Sequence, residues 1–195
     1  MKKLFITIES IIYLTFIIFD LFHINSIYLK YLGIFLCFLF AFLNKKKYIS
    51  NALLFTLIAD YFLLIKDEHY LIGVSSFLLV QTIYFFYLKN NNCELFKKVR
   101  VLIYALILTF SIIFKLDVLY FLVLIYFSTL VLNTVSSFTS RDLRIFSIGL
   151  TLFILCDVSV GLFNILPYGR VYLIVSLLMW VFYLPSQVLI SLSKV

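Results

Sequence analysis

Glycine and proline are nearly absent: 5 and 2 of 195 residues. These two residues punctuate loops and turns, so very little of the chain is left to be irregular. Charge is equally scarce, at 13% Asp, Glu, Lys and Arg against about a quarter in a soluble domain. The hydrophilic remainder is too small for a soluble domain, and we read residues 1–195 as one domain. Histidine occurs twice, at His23 and His69, in separate polar turns, so a metal site is not expected. The three cysteines, Cys37, Cys93 and Cys156, show no paired spacing, and Cys37 and Cys156 fall inside apolar runs as small buried hydrophobes would. There is no glycine-rich phosphate loop and no GxSxG elbow. No cofactor is therefore expected.

What remains is hydrophobic. Apolar residues make up 65% of the chain, with 23 Phe and 14 Tyr, and the mean hydropathy is +1.16. The net charge of +7 does not indicate nucleic acid, because the basic residues sit in short segments between apolar runs. A membrane span needs roughly 20 apolar residues. The chain offers eight such runs, near 4–23, 27–43, 49–65, 70–88, 99–115, 118–138, 142–163 and 171–192. They are continuous rather than alternating, which strongly favours helices over a barrel. The expected fold is an all-α polytopic membrane protein of eight transmembrane helices. Tight turns such as FHINS, IKDEH and FKLD predict antiparallel hairpins. The opening MKKLFITIESIIYLTFIIF has the basic start of a signal peptide, but no small-x-small cleavage site follows, so it reads as an uncleaved first helix.

Basic residues set the expected orientation. With the N-terminus in the cytoplasm, 12 of the 16 Lys and Arg fall on the inner side, Lys45, Lys46, Lys47, Arg100, Arg141 and Lys194 among them. Only Lys30, Lys66, Lys115 and Arg170 fall outside. This predicts a multi-pass cell-membrane protein with both termini cytoplasmic.

Two helices carry a lone carboxylate in an otherwise apolar run: Asp60 in LLFTLIADYFLLI and Asp157 in LTLFILCDVSVGLF. An ionisable group at the bilayer centre costs at least about 2.5 kcal/mol on insertion scales, and so marks a functional candidate. The two helices have similar surroundings. Ala52 and Gly149 each lie eight residues before the aspartate, and each helix leads into one containing Val-Ser, Val74-Ser75 and Val175-Ser176. A parallel repeat of four plus four helices is one reading. Both aspartates would then lie at similar depth and could face one cavity. Lys30, at the start of the second helix, is the candidate cation for either. Gln81 and Tyr84, Tyr126, Asn133 and Ser137, and Tyr183 and Gln187 are the polar side chains that could line such a cavity. They serve equally well as interhelical hydrogen-bonding pairs.

The segment ALLFTLIADYFLL, with LIGVSSFLLVQTIYFFYL after it, resembles the third and fourth helices of the YhhN family, the lysoplasmalogenases. Ala52, Leu53, Phe55, Asp60, Leu63, Gly73, Phe77 and Tyr84 match that pattern. GLTLFILCDVSVGLFN resembles the family's second aspartate motif through Gly149, Leu152, Phe153 and Asp157. FYLPSQVLISLS resembles its closing motif through Tyr183, Gln187, Ile190 and Ser193, and Lys30 matches the lysine that opens the second helix. The chain departs from the pattern at four positions. Gln81 stands for histidine, Tyr31 for proline, Ala59 for glycine and Cys156 for serine.

The resemblance implies hydrolysis of the vinyl-ether bond of a lysoplasmalogen, giving a fatty aldehyde and a glycerophospho-ethanolamine or -choline. It implies Asp60 and Asp157 as the catalytic pair, with Lys30, Gln81, Tyr84, Tyr126, Tyr183 and Gln187 as substrate-binding candidates. The expected partners are a lysophospholipid substrate and membrane lipid, with no nucleic acid or protein partner. Two carboxyls in one low-dielectric site favour one protonated and one ionised member, which suits acid catalysis of vinyl-ether cleavage. A proton-coupled or small-molecule transporter, and a non-catalytic scaffold, are the competing readings. A closed, lipid-accessible cavity around both aspartates would favour the enzyme, a through-path would favour transport, and no cavity would favour the scaffold.

Overall fold

A computed structural model describes residues 1–91, 97–167 and 169–193. Cys93 and Lys194 lie outside the described residues. Every described element is helical: α1 (Lys2–Leu21), α2 (Ile27–Leu43), α3 (Lys47–Asp60), α4 (Tyr70–Asn90), α5 (Lys97–Ile113), α6 (Val118–Ser137), α7 (Arg144–Ile165) and α8 (Arg170–Leu192). The ends fall within a few residues of the sequence-predicted runs. Long apolar runs hold a helix because each backbone N–H and C=O finds its partner inside the segment, the one arrangement that survives without water. Hydroxyls follow the same rule, as Thr56, Ser147 and Ser159 each donate to a carbonyl one turn back.

Among the described residues, six helices are long and apolar enough to cross a membrane, counting α3 with the turn that extends it to Lys66 and α7 with the turn that precedes it from Arg141. The apolar α2 has 17 residues. Large side chains on the outside are predominantly Leu, Ile, Phe and Val, as a lipid-facing surface requires.

The turns explain how so few glycines suffice. His23, Lys45, Asp67, His69 and Lys115 all adopt positive φ between 48° and 57°, and each lies where one helix gives way to the next. No glycine does so. Glycine serves close approach instead. A Cβ on Gly149 of α7 would stand 3.1 Å from the Ser186 carbonyl and 2.8 Å from Ile190 Cγ1 of α8.

Helix pairs pack as hairpins, α3 with α4 and α7 with α8, and α2, α4, α6 and α8 supply the cross-contacts. α5 packs against α6 and buries only Arg100 and Ser111 among its described residues. Arg100, counted above with the cytoplasmic cations, is not a loop residue. It lies inside α5, donates to Asn133 Oδ1 of α6 at 3.1 Å, and covers the Phe85 ring of α4 at 4.6 Å. Pro185 interrupts α8 and cannot donate to the Val181 carbonyl. The Tyr13 hydroxyl of α1 donates to that carbonyl at 3.4 Å. Lys46, at the α2–α3 turn, donates to the Ser191 carbonyl at 3.0 Å and to that of Ser193, closing the C-terminal turn of α8.

Candidate active site

Asp60 is the last α-helical residue of α3 and is 5% exposed. Beyond it the chain continues as one π-helical turn, Tyr61–Lys66. Both of its carboxylate oxygens accept from the Tyr183 hydroxyl of α8, each at 2.8 Å. Asp157 lies on α7 and is partly exposed. Its Oδ2 accepts from the Tyr126 hydroxyl of α6 at 2.5 Å. Asp60 and Asp157 are therefore each held by a tyrosine from another helix.

The two units are joined by rings. Phe77 of α4 packs 5.7 Å from Tyr126 on one side and 5.7 Å from Phe153 on the other. Phe153 lies 5.7 Å from Tyr183. Tyr126 and Cys156 each interact electrostatically with both Asp60 and Asp157. Tyr31, beside Lys30, also lies in electrostatic range of Asp60. Four helices thus bring two carboxyls and two phenols into one cluster around an aromatic core, where charges interact far more strongly than in water.

Lys30 does not serve either aspartate of that cluster. Its ammonium is bound by Asp20 at the end of α1, at 2.8 Å to Oδ2 and 3.0 Å to Oδ1. The expected pairing fails because α1 and α2 form a hairpin, which puts Asp20 on the lysine's own turn. Gln81 also lies elsewhere. Its side-chain and backbone oxygens accept from Asn133 Nδ2 at 3.1 and 2.8 Å, in the network that ends on Arg100. Tyr84 is fully buried edge-on against Phe146, 5.2 Å away. Gln187 donates to Ser186 at 3.3 Å. Of the eight sequence candidates, the structure gathers Asp60, Asp157, Tyr126 and Tyr183.

Family models give the chain its place. One for the YhhN family matches residues 25–194. The chain belongs to the YhhN family. As a YhhN protein it falls in a lysoplasmalogenase-like family of multi-pass helical proteins. No curated protein and no solved structure matches it. The match starts after α1, so the first helix is the part of this YhhN chain that the family pattern does not cover.

α1 also carries the two acidic residues that sequence reasoning missed. Asp20 is one. The other is Glu9, only 3% exposed, with the Cys37 thiol 3.7 Å from Oε1. Asp20 looks like an end-of-helix charge in the sequence, whereas Glu9 lies inside the first apolar run, as Asp60 and Asp157 do in theirs. The available signal was Asp20 and Lys30 flanking a short turn, ten residues apart.

Two open pockets run along α1 and α8, of about 440 and 350 Å³. Neither is lined by Asp60 or Asp157. The larger is lined by Asp20, Lys30, Ser176 and Trp180, and Trp180 packs edge-on to Tyr183 at 5.5 Å. The smaller is lined by Glu9, Tyr13 and Pro185.

Proposed function

We propose that the chain is a membrane hydrolase of the lysoplasmalogenase type, cleaving the vinyl-ether bond of a lysophospholipid with Asp60 and Asp157 as its acid–base pair. One observation carries this reading: two intramembrane carboxyls are each bound by a buried tyrosine, and the two tyrosines are linked through the rings of Phe77 and Phe153. A scaffold has no need of two such groups, since each carries the insertion cost described above.

The chemistry suits the groups. A carboxylic acid protonates the vinyl carbon β to the ether oxygen, and the adjacent carbon becomes an oxocarbenium ion. Water adds to that carbon, helped by the partner carboxylate, and loses a proton to it. The hemiacetal collapses to a fatty aldehyde and a glycerophospho-alcohol. One water is consumed, and the proton count of the pair is restored. Tyr126 and Tyr183 orient the carboxyls and donate to whichever is charged. The family pattern's histidine is Gln81 here, and Gln81 is engaged with Asn133, so the reaction relies on the aspartate–tyrosine pairs alone.

The alkenyl chain enters laterally from lipid. We place the protein in the cell membrane with both termini cytoplasmic, supported by the 12-to-4 division of Lys and Arg between the two sets of helix ends and turns. The test is aldehyde release by the purified protein from lysoplasmalogen, with an ester lysolipid as control. Release from the vinyl ether alone supports the reading. Fatty-acid release from the ester, or no product from either, refutes it.

A further inference from the structure

We propose that the pocket between the ends of α1, α2 and α8 binds a phosphoethanolamine headgroup, with Lys30 taking the phosphate and Asp20 the ammonium. The choice of a lipid ligand rests on the hydrolase reading. The choice of headgroup rests on the pocket itself.

Lys30 is more than nine-tenths buried at the pocket wall. Its ammonium has three N–H donors, and two face the Asp20 oxygens. The third remains for a ligand. Asp20 offers about four lone-pair positions. Lys30 takes one on each oxygen, and the Ser26 hydroxyl takes another on Oδ1 at 2.5 Å. One acceptor position remains, on Oδ2. A spare donor and a spare acceptor therefore stand side by side on one ion pair. Their complement is a ligand with an anion and an N–H donor a few atoms apart, and phosphoethanolamine is such a ligand. A volume of about 440 Å³ is in the usual range for a small-molecule site.

The same geometry discriminates between headgroups. A quaternary ammonium has no N–H to give, and is normally held by open aromatic faces. Trp180 and the His23 imidazole are the rings on this wall, and the Lys30 ammonium already covers the Trp180 ring at 4.5 Å. Ethanolamine is thus preferred to choline. Trp180 also connects the pocket to the carboxyl cluster, since its edge packs on the tyrosine that holds Asp60. A headgroup seated here lies one ring contact away from that tyrosine.

The chain has a single tryptophan, so the pocket carries its own reporter. The experiment titrates the full-length protein in nanodiscs with saturated alkyl-ether lysolipids, which lack the vinyl bond and are not turned over, and follows Trp180 emission. The headgroups are phosphoethanolamine, phosphocholine and phosphoglycerol, with free phosphoethanolamine as a separate arm. The expected result is a saturable change with the ethanolamine lipid, about tenfold tighter than with the choline lipid. Asp20→Asn should reduce that preference to below about threefold, and Lys30→Gln should weaken every phosphate-bearing lipid by about tenfold. Asp60→Asn should retain parent binding, which separates a failed pocket from a failed catalytic pair. Equal affinity for all headgroups, or an unchanged preference in Asp20→Asn, overturns the proposal. So does saturation by free phosphoethanolamine at the concentration of the lipid, which would make the ligand a soluble one. A folded Lys30→Gln protein, verified by circular dichroism, that binds like the parent overturns it as well.

Discussion

Replacing Asp60 by Asn tests the reaction with little disturbance of the fold. The amide keeps the shape of the carboxyl. Its oxygen can still accept from the Tyr183 hydroxyl, now 2.8 Å from both carboxylate oxygens, and its NH₂ can donate to that hydroxyl's oxygen. One ordinary hydrogen bond replaces a charge-assisted one, a stability change of about 1 kcal/mol. The chemical loss is larger. A positioned acid or base contributes about 10²- to 10⁴-fold, which is roughly 3 to 5 kcal/mol of barrier. Tyr183→Phe provides an intermediate case. It removes the donor and leaves the carboxyl, and a hydrogen bond to a charged group contributes about 1.5–3 kcal/mol, equal to roughly 10- to 150-fold in rate. The expected order of aldehyde release is parent, then Tyr183→Phe, then Asp60→Asn, measured with an aldehyde dehydrogenase couple on protein in nanodiscs. Both variants should retain the parent's melting midpoint within a few degrees. Asp60→Asn turning over within threefold of the parent refutes the paired-carboxyl mechanism, and Tyr183→Phe falling below Asp60→Asn refutes the supporting role of the tyrosine.

Other outcomes follow from the packing. Asp157→Asn should match Asp60→Asn, and Tyr126→Phe should match Tyr183→Phe, in the same coupled assay; two carboxyls with unequal effects would leave one of them structural. Gly149→Val should destabilise by about 1–3 kcal/mol or more through overpacking, because its Cβ already meets the Ser186 carbonyl at 3.1 Å; thermal unfolding in detergent reads this. Asn133→Ala should cost about 1–3 kcal/mol by leaving the buried Arg100 with only the longer bond to Tyr104, and should leave aldehyde release per folded molecule near the parent's. Lys46→Met should loosen the end of α8 and speed proteolysis after Leu192, since two carbonyls lose their donor.

The helices were legible because each is a continuous apolar run bounded by polar turns, and a bilayer allows few other arrangements. Asp60 and Asp157 were legible for the opposite reason, as charges where none belong. Their tyrosines were visible only as polar residues in mid-span. Periodicity says which residues share a face of one helix, but not which helix that face meets. Tyr183 was therefore grouped with Gln187, its own neighbour one turn on, when its partner is Asp60 of α3. Gln81 was placed in the site by its position in a family pattern, and the hydrogen bonds of Asn133 hold it in another layer. Lys30 found a carboxylate nearer than either candidate because a hairpin brings helix ends together irrespective of what lies between them. Glu9 and Asp20 were missed on the one helix outside the family match, where no pattern drew attention to them.

The π-helical turn that begins at Tyr61 takes up one residue more than an α-turn would. Everything on the far side of it, including the Asp67–His69 bend, is rotated by about 100° relative to an uninterrupted helix. Deleting a single residue from 61–66 would let the segment rewind as regular α-helix, leaving Asp60 on its tyrosine while turning Leu63 off the Gly73 backbone it now covers. Asp60 precedes that turn and is held by α8, so a change of length in the bend acts first on the contact between Leu63 and α4 and only through it on the carboxyl.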